Sequence, residues 1–204
     1  MWAAAYDRVI APLERRVLDG HRARLLGTAR GLVLEVGAGT GANLPHYPVD
    51  GQVQRVDLLE PDPGMRRRLE GRIPACPAPV VVHAAGVEGP FPEATYDTIV
   101  CTLVLCTVPD PVAAMARLRD ALAPDGHLLV IEHVRAPGLL GRLQHRLTPA
   151  WQRVAGGCHL DRDTTFVLRG AGLVSISQDV ITAPWWSGPV HHVVVADAIH
   201  RVRT

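Results

Sequence analysis

Leu32-Val33-Leu34-Glu35-Val36-Gly37-Ala38-Gly39-Thr40-Gly41-Ala42-Asn43-Leu44 decides how this chain is read. An apolar run enters a glycine-rich turn, and the turn opens into a helix start. Glycine has no Cβ and takes up positive φ at little cost, so backbone in such a turn can come very close to a ligand. Glu35 is an acid inside the end of a buried strand. That position suits a residue that orients the turn or meets an amine-bearing ligand. Nineteen residues past Gly41 a second acid, Glu60, closes another apolar run. A glycine turn with a carboxylate at that distance is the arrangement that holds a nucleoside, the turn around the sugar and the carboxylate on its hydroxyls.

Working outward, strands and helices alternate. Strands are expected at Leu32–Val36, Val53–Leu59, Val80–Ala84, Thr98–Leu105 and His127–Val134. The fourth is apolar throughout, as a central parallel strand covered on both faces should be. Asp62-Pro63 and Pro109-Asp110-Pro111 read as helix starts, an N-cap aspartate followed by proline at the first helical position. Met65, Leu69 and Ile73 give the first of these helices its buried stripe, and Val112, Met115, Leu118 and Leu122 the second. Residues about 4–29 look helical with a break near Gly20. Residues 136–160 are the least regular stretch, interrupted by Pro137, Gly138, Gly141, Pro149, Gly156 and Gly157. A short helix at Asp163–Gly170 precedes strands at Leu173–Ile181 and Val190–Ala196. The link between those two is too short for a crossover helix, so they should pair antiparallel. The pattern is a three-layer Rossmann-like α/β sheet, mostly parallel, with a C-terminal antiparallel strand pair. In such sheets ligands bind outside the carboxyl ends of the strands, where strand order reverses. The glycine turn, Glu60, Thr102-Leu103 and Glu132-His133 all fall at that edge.

The bulk numbers narrow the classes. With 204 residues and 48% hydrophobic content, the chain suits one domain with a full core, and a net charge of +1 implies no nucleic-acid partner. Arg66-Arg67-Arg68 reads as the solvated face of a helix. The four cysteines, at 76, 101, 106 and 158, have no zinc-knuckle or redox spacing, so a reduced, cytoplasmic setting and no metal are expected. No apolar run reaches the roughly 18 to 20 residues that span a bilayer, and the opening residues show no secretory pattern.

Gly37, Gly39 and Ala42 also satisfy the dinucleotide fingerprint, with Glu60 as its ribose acid, so a nicotinamide-dependent oxidoreductase is the rival from another class. Against it stand the helices before the first strand, the lack of a second domain and the pairing of Gly41 with Glu35. A nucleoside that also carries an amino acid is S-adenosylmethionine.

Glu35-Val36-Gly37-Ala38-Gly39-Thr40-Gly41 resembles motif I of the class I S-adenosylmethionine-dependent methyltransferases. Leu59-Glu60-Pro61-Asp62-Pro63-Gly64-Met65 is similar to their second motif. Ala85-Gly86-Val87-Glu88-Gly89-Pro90-Phe91-Pro92 with Tyr96-Asp97 resembles the adenine loop and the strand after it. Leu122-Ala123-Pro124-Asp125-Gly126-His127-Leu128 resembles the turn into the fifth strand. Together these motifs cover about residues 30–135. A narrower resemblance, to the methyltransferase-like protein 7 group of small-thiol methylating enzymes, lies in Val100-Cys101-Thr102-Leu103-Val104-Leu105-Cys106-Thr107-Val108, Glu132-His133-Val134, Trp151 and Gly157-Cys158-His159-Leu160-Asp161-Arg162. The animal members of that group carry a membrane-anchoring N-terminus that the opening residues here do not resemble, so no integral membrane segment is expected.

The resemblance implies S-adenosylmethionine as cofactor, S-adenosylhomocysteine as product and a small, fairly apolar acceptor, a thiol first. An oxygen, nitrogen or carbon atom of a quinone, phenol or lipid-like molecule stays open, as does a monomer or a homodimer. It implies one domain: a helical lid over 1–30, a cofactor core over 31–135 and an acceptor-side segment over 136–204. Carried over by position, Glu35, Gly37, Ala38, Gly39, Thr40, Gly41 and Asn43 serve the methionine and ribose. Glu60 takes the ribose hydroxyls. Pro61 and Met65 flank adenine, Gly86 and Val87 meet its edge, and Thr102 and Leu103 lie under the sulfonium. Beyond the cofactor, His133 is the candidate base, because it ends a strand at the site and titrates near neutrality. Tyr6, Trp151 and His159 are candidates, with His133, for the acceptor pocket. Trp185 and Trp186 read as core. His191 and His192 point to opposite faces of a strand and cannot share a metal.

Overall fold

Seven strands form one sheet in the order β3-β2-β1-β4-β5-β7-β6. They are β1 (Gly31–Val36), β2 (Val53–Leu59), β3 (Val80–His83), β4 (Tyr96–Thr102), β5 (Leu122–His133), β6 (Leu173–Thr182) and β7 (His192–His200). The coordinates are a computed structural model that describes residues 11–184 and 189–201. Tyr6, Trp185 and Trp186 lie outside the described residues. Pairing from β3 through β5 is parallel, and β7 runs antiparallel to both β5 and β6. Strand order reverses between β1 and β4, so the ends of these two strands frame the crevice where ligands of such sheets collect.

Helices cover both faces. On one, α3 (Pro111–Ala121) and α5 (Thr164–Gly170) set Met115, Leu118 and Leu168 against Leu34, Ile99, Leu128 and Val130. On the other, α1 (Asp19–Leu26) and α2 (Pro63–Glu70) set Leu25, Leu26 and Leu69 against Val33, Val56, Leu58 and Leu129. Each such side chain, fully buried, contributes on the order of 1.5–3 kcal/mol. The helix starts follow the sequence. Asp62 Oδ1 accepts from Met65 N (2.7 Å), and Asp110 Oδ1 accepts from Val112 N (2.9 Å) and Ala113 N (3.0 Å), with proline at the first helical position of both.

The differences have physical reasons. Val112 was expected to face inward, yet it is 63% exposed, because the buried stripe of α3 runs through Ala114, Met115, Leu118 and Ala121. Leu122 is buried as expected, but it begins β5, not the helix. Ile73 falls in a separate 3-10 turn after α2. Gly20 lies inside α1, and the irregularity there is a π-helical turn at Glu14–Leu18. The stretch read as irregular holds the longest described helix, α4 (Gly138–Val154), with Pro149 inside it. Its buried positions include Gly141, Gln144 and Thr148, while Leu139, Leu143 and Leu147 are exposed. The apolar period that announces a helix therefore does not mark its inner face.

The three motif glycines all have positive φ (66°, 59° and 86°) but divide into two kinds. A Cβ on Gly37 would run into Val104. One on Gly41 would come within 2.8 Å of Leu44 Cδ1 and 2.9 Å of Leu69 Cδ1. These two are small so that the protein can pack. A Cβ on Gly39 would meet nothing nearer than Gly37 O at 3.9 Å, so the space beside Gly39 is open. Gly41→Ala should therefore destabilise the protein by roughly 1–3 kcal/mol through φ strain and overpacking. Urea unfolding would show it as a lower midpoint at unchanged slope.

Candidate functional site

Two neighbouring clefts open at the carboxyl edge of the sheet. The larger, about 410 Å³, is bordered by Gly37, Gly39, Glu60, Pro61, Met65, Gly86 and Val87 and by two stretches of the loop after β4, residues 102–104 and 107–109. The smaller, about 360 Å³, is bordered by Arg22, by Gly37 through Asn43, and by Thr102. Gly37, Gly39 and Thr102 belong to both, so the glycine turn is the sill between them.

Beneath that sill lies a buried polar chain. Glu35, 1% exposed, accepts from Asn43 Nδ2 at Oε1 (3.0 Å) and from the Tyr47 hydroxyl at Oε2 (2.6 Å). Asn43 Nδ2 also donates to Thr102 Oγ1 (2.9 Å). The Asn43 carbonyl accepts from Arg22, whose Nε and Nη2 grip both oxygens of Glu14 at 2.9 and 2.7 Å. Burial pushes the Glu35 carboxyl above its ordinary range, against the pull of its two donors. Glu35 thus faces inward and orients the turn, the first of the two roles its position allows. Arg22 and Tyr47 carried no signal in the sequence. Each is a polar residue in a stretch that reads as ordinary surface.

Glu60 is set differently. Its Oε2 accepts from Gly39 N and its Oε1 from Asp62 N, both at 2.8 Å, and it borders the larger cleft. Each oxygen has a lone pair to spare. Burial raises its carboxyl above the usual range, more than the two backbone donors lower it. Met65 and Val87 are buried in the cleft wall, and Val87 O accepts from Arg117 Nε (2.9 Å), which fixes the loop after β3.

The loop after β4 is held by Glu132, whose Oε1 accepts from Val104 N (2.7 Å) and Leu105 N (2.8 Å). Leu103 N donates to Ile131 O (2.8 Å), and φ at Leu103 is +54°, the sole positive value outside glycine among the described residues. Such backbone costs on the order of 1–3 kcal/mol and gathers at ligand sites. Arg162 Nη1 donates to Leu105 O (2.7 Å) and Val108 O (2.6 Å) and braces the same loop from outside.

The structure places three of the remaining candidates, and none borders either cleft. His133 is 3% exposed, and its Nε2 lies 2.8 Å from Cys158 Sγ. Cys106 of the β4 loop lies within 4.8 Å of it, and His133 borders neither cleft, so no contact with the crevice accompanies the role of base expected from the sequence. His159 points to Gln152 (Nε2 to Nε2, 2.5 Å), and its backbone N donates to Cys106 O. Trp151 lies on α4 with its Nε1 buried, near enough to Cys158 to help hold that thiol low. Spacing gave no metal-ligand set, yet Cys106, His133 and Cys158 come together from three separate segments. A hydrogen bond from Cys106 is the main influence holding the Cys158 thiol below its ordinary range.

The chain is similar to known methyltransferases in sequence and in fold. A family model described as a methyltransferase domain matches residues 11–173. A rat thiol S-methyltransferase, TMT1B, is 34% identical over 159 residues, covering 74% of this chain and 64% of the relative. The human thiol S-methyltransferase TMT1B is 30% identical over 186 residues, covering 84% and 75%. The chain thus spans 64% of the length of the rat relative. Among solved structures, an N-methyltransferase NodS from Bradyrhizobium japonicum WM9 in complex with S-adenosylhomocysteine superposes with a TM-score of 0.68 at 17% identity, covering 92% of this chain and 87% of that one. A DhpI complex with S-adenosylhomocysteine gives 0.66 at 22%, covering 98% and 92%. At these identities the structural likeness speaks for the fold. No helix among the described residues is long and apolar enough to cross a membrane.

Asn43→Leu removes the group that joins Glu35, Thr102 and Arg22 and leaves a buried carboxylate oxygen and a guanidinium N–H short of a partner. A loss of roughly 2–4 kcal/mol in chemical denaturation is expected.

Proposed function

The chain belongs to the class I S-adenosylmethionine-dependent methyltransferases, and from that premise we propose that it methylates a small, fairly apolar thiol. The observation that carries the cofactor side is the pairing of Gly39 with Glu60. An open space beside Gly39 faces a carboxylate whose two oxygens are each fixed by one backbone N–H. A sugar bearing two vicinal hydroxyls matches such a carboxylate, and a Cβ at Gly39 would take the room its neighbouring atoms need.

In this reading Glu60 receives the ribose hydroxyls, Pro61 and Met65 flank adenine, and Gly86 with Val87 closes its edge. The amino-acid end lies toward the smaller cleft, beside Ala38, Thr40 and Gly41, with Glu35 and Asn43 holding the turn from below. Residues 11–26 contribute Glu14, Asp19 and Arg22 to that cleft and act as its wall. Thr102 and strained Leu103 lie beneath the reacting centre. S-adenosylmethionine supplies an electrophilic methyl group on a sulfonium; the chain supplies position and dryness.

For the acceptor, support comes from the relatives named as thiol S-methyltransferases and from the wall of the larger cleft. Leu103, Val104, Thr107, Val108, Pro109, Ala155 and Gly156 line it with no ionisable side chain among them. A thiol is partly ionised near neutral pH. It therefore needs no protein base, which fits a buried His133 that borders neither cleft. Alignment of a thiolate with the methyl group in a dry pocket can supply several kcal/mol of the barrier reduction, within the roughly 7–11 kcal/mol available from positioning in well-oriented cases. Four free cysteines, three of them buried, fit a reducing compartment, and we place the enzyme in the cytoplasm on that ground.

Calorimetry with S-adenosylhomocysteine tests the cofactor side. Wild type should bind it and ignore NAD, and Gly39→Val should abolish binding, with a lower unfolding midpoint as well because φ at Gly39 is +59°; tight binding of NAD alone would overturn the reading. Affinity should also depend on pH. Sugar hydroxyls favour the charged form of Glu60, so binding releases a proton wherever the free carboxyl still holds one. Affinity then rises as pH climbs through the raised value of Glu60 and levels off above it. Glu60→Gln, beside Asp62 and Arg66, should bind more weakly by roughly 1.5–3 kcal/mol and lose that rise. On the acceptor side, a panel of aliphatic and aromatic thiols, phenols and amines should show turnover on the thiols first, with a rate that follows thiolate fraction; turnover confined to phenols or amines would refute the thiol.

A further inference from the structure

Cys106, His133 and Cys158 take no part in the reaction proposed above. They come from the loop after β4, the last residue of β5 and the turn after α4. Each is buried, and one donor atom of each lies within 4.8 Å of the others. His133 Nε2 is 2.8 Å from Cys158 Sγ. Beyond the trio, Cys106 Sγ makes only long contacts, to Leu103 O (3.6 Å) and Thr107 Oγ1 (3.5 Å). His133 Nδ1 is buried with no hydrogen bond at all. A buried polar group normally finds a partner, and here two thiols and an imidazole converge while leaving much of their capacity unused.

We propose that Cys106, His133 and Cys158 are three ligands of a soft divalent metal ion of the zinc class. The donor set is the one such ions prefer, two sulfurs and an imidazole nitrogen. Both thiols give their protons to solvent as the two metal–sulfur bonds form. Two thiolates and a neutral imidazole around a dication then sum to zero charge, which a buried site tolerates. Tetrahedral coordination asks for roughly 3.5 Å between sulfur and nitrogen ligands, so His133 and Cys158 need only move apart slightly. The fourth position is left to water or an exogenous ligand.

The placement gives the ion a task. Thr107, next to Cys106, borders the larger cleft, and so do Ala155 and Gly156, just ahead of Cys158, whose backbone N donates to Ala155 O (3.1 Å). A metal on the trio therefore pins together two walls of that cleft, the β4 loop and the turn after α4. The inference does not depend on which acceptor is methylated.

The test uses the full chain, reduced and stripped with chelator, with Co²⁺ as spectroscopic probe and Zn²⁺ measured by competition against a chromophoric chelator. One equivalent of Co²⁺ should give thiolate-to-metal charge transfer in the near ultraviolet and intense tetrahedral bands in the visible. Cys106→Ser and Cys158→Ser should each weaken Zn²⁺ binding by more than about 100-fold, and Cys76→Ser, outside the trio, should bind as wild type. In case the buried variants fail to fold, alkylation of wild type is followed by mass spectrometry. Zn²⁺ should slow labelling of Cys106 and Cys158 and leave Cys76 unchanged. Weak octahedral Co²⁺ bands without charge transfer, or labelling rates indifferent to Zn²⁺, would overturn the proposal. So would a Cys106–Cys158 disulfide under mild oxidation in a protein that takes up no metal when reduced.

Discussion

A carboxylate sealed inside the protein governs the crevice. Glu35 is nearly inaccessible, and a charge there is tolerated only because Asn43 and Tyr47 donate to it. Asn43 can do so only if the turn after β1 folds back over the strand end. That same amide also reaches Thr102 at the end of β4 and Arg22 in α1. One side chain therefore ties together the two strands that flank the point where sheet order reverses, and the helical segment that walls the smaller cleft. The glycine turn is shaped from below by polar satisfaction before any ligand touches it from above.

This division explains why three glycines in one short turn do different work. At Gly37 and Gly41 the missing Cβ makes room for Val104, Leu44 and Leu69, so those positions serve the core. At Gly39 the missing Cβ makes room for nothing in the protein. Glu60 is drawn to the same point, because its Oε2 accepts from the Gly39 amide. The open side of the turn and the Glu60 carboxylate are thus one unit, with the backbone N–H of Gly39 setting where the carboxylate stands.

Much of this was legible from residues alone where the signal is local. Asp-Pro caps mark α2 and α3, because a short acid and a fixed φ act within one turn. The strand runs mark β1 through β5, because short aliphatic and β-branched stretches, such as Val80-Val81-Val82 and Leu128-Leu129-Val130-Ile131, stand between turn residues. The motif carboxylates and glycines were legible for the same reason. What stayed hidden depends on distant parts of the chain. Helix α4 buries glycine, glutamine and threonine, so no apolar period announces its inner face. Arg22 and Tyr47 look like surface residues until Glu35 and Asn43 arrive from the strand end. Cys106, His133 and Cys158 are too far apart in sequence for any spacing rule, and only the sheet brings them together. His133 sits at the edge its strand predicts, yet it is buried and borders neither cleft, and proximity in topology did not become access.

That loop is the place where structure and chemistry meet. Its backbone is strained at Leu103 and would relax if left alone. Glu132 grips two of its amides, Ile131 a third, and Arg162 two of its carbonyls. So many fixed contacts on one short segment make a rigid, apolar wall beside the cleft. Transfer of a methyl group from a sulfonium to a thiolate cancels charge along the reaction path, so a wall that excludes water favours it without any proton-accepting side chain. For the proposed methyl transfer, a rigid wall matters more than a catalytic base.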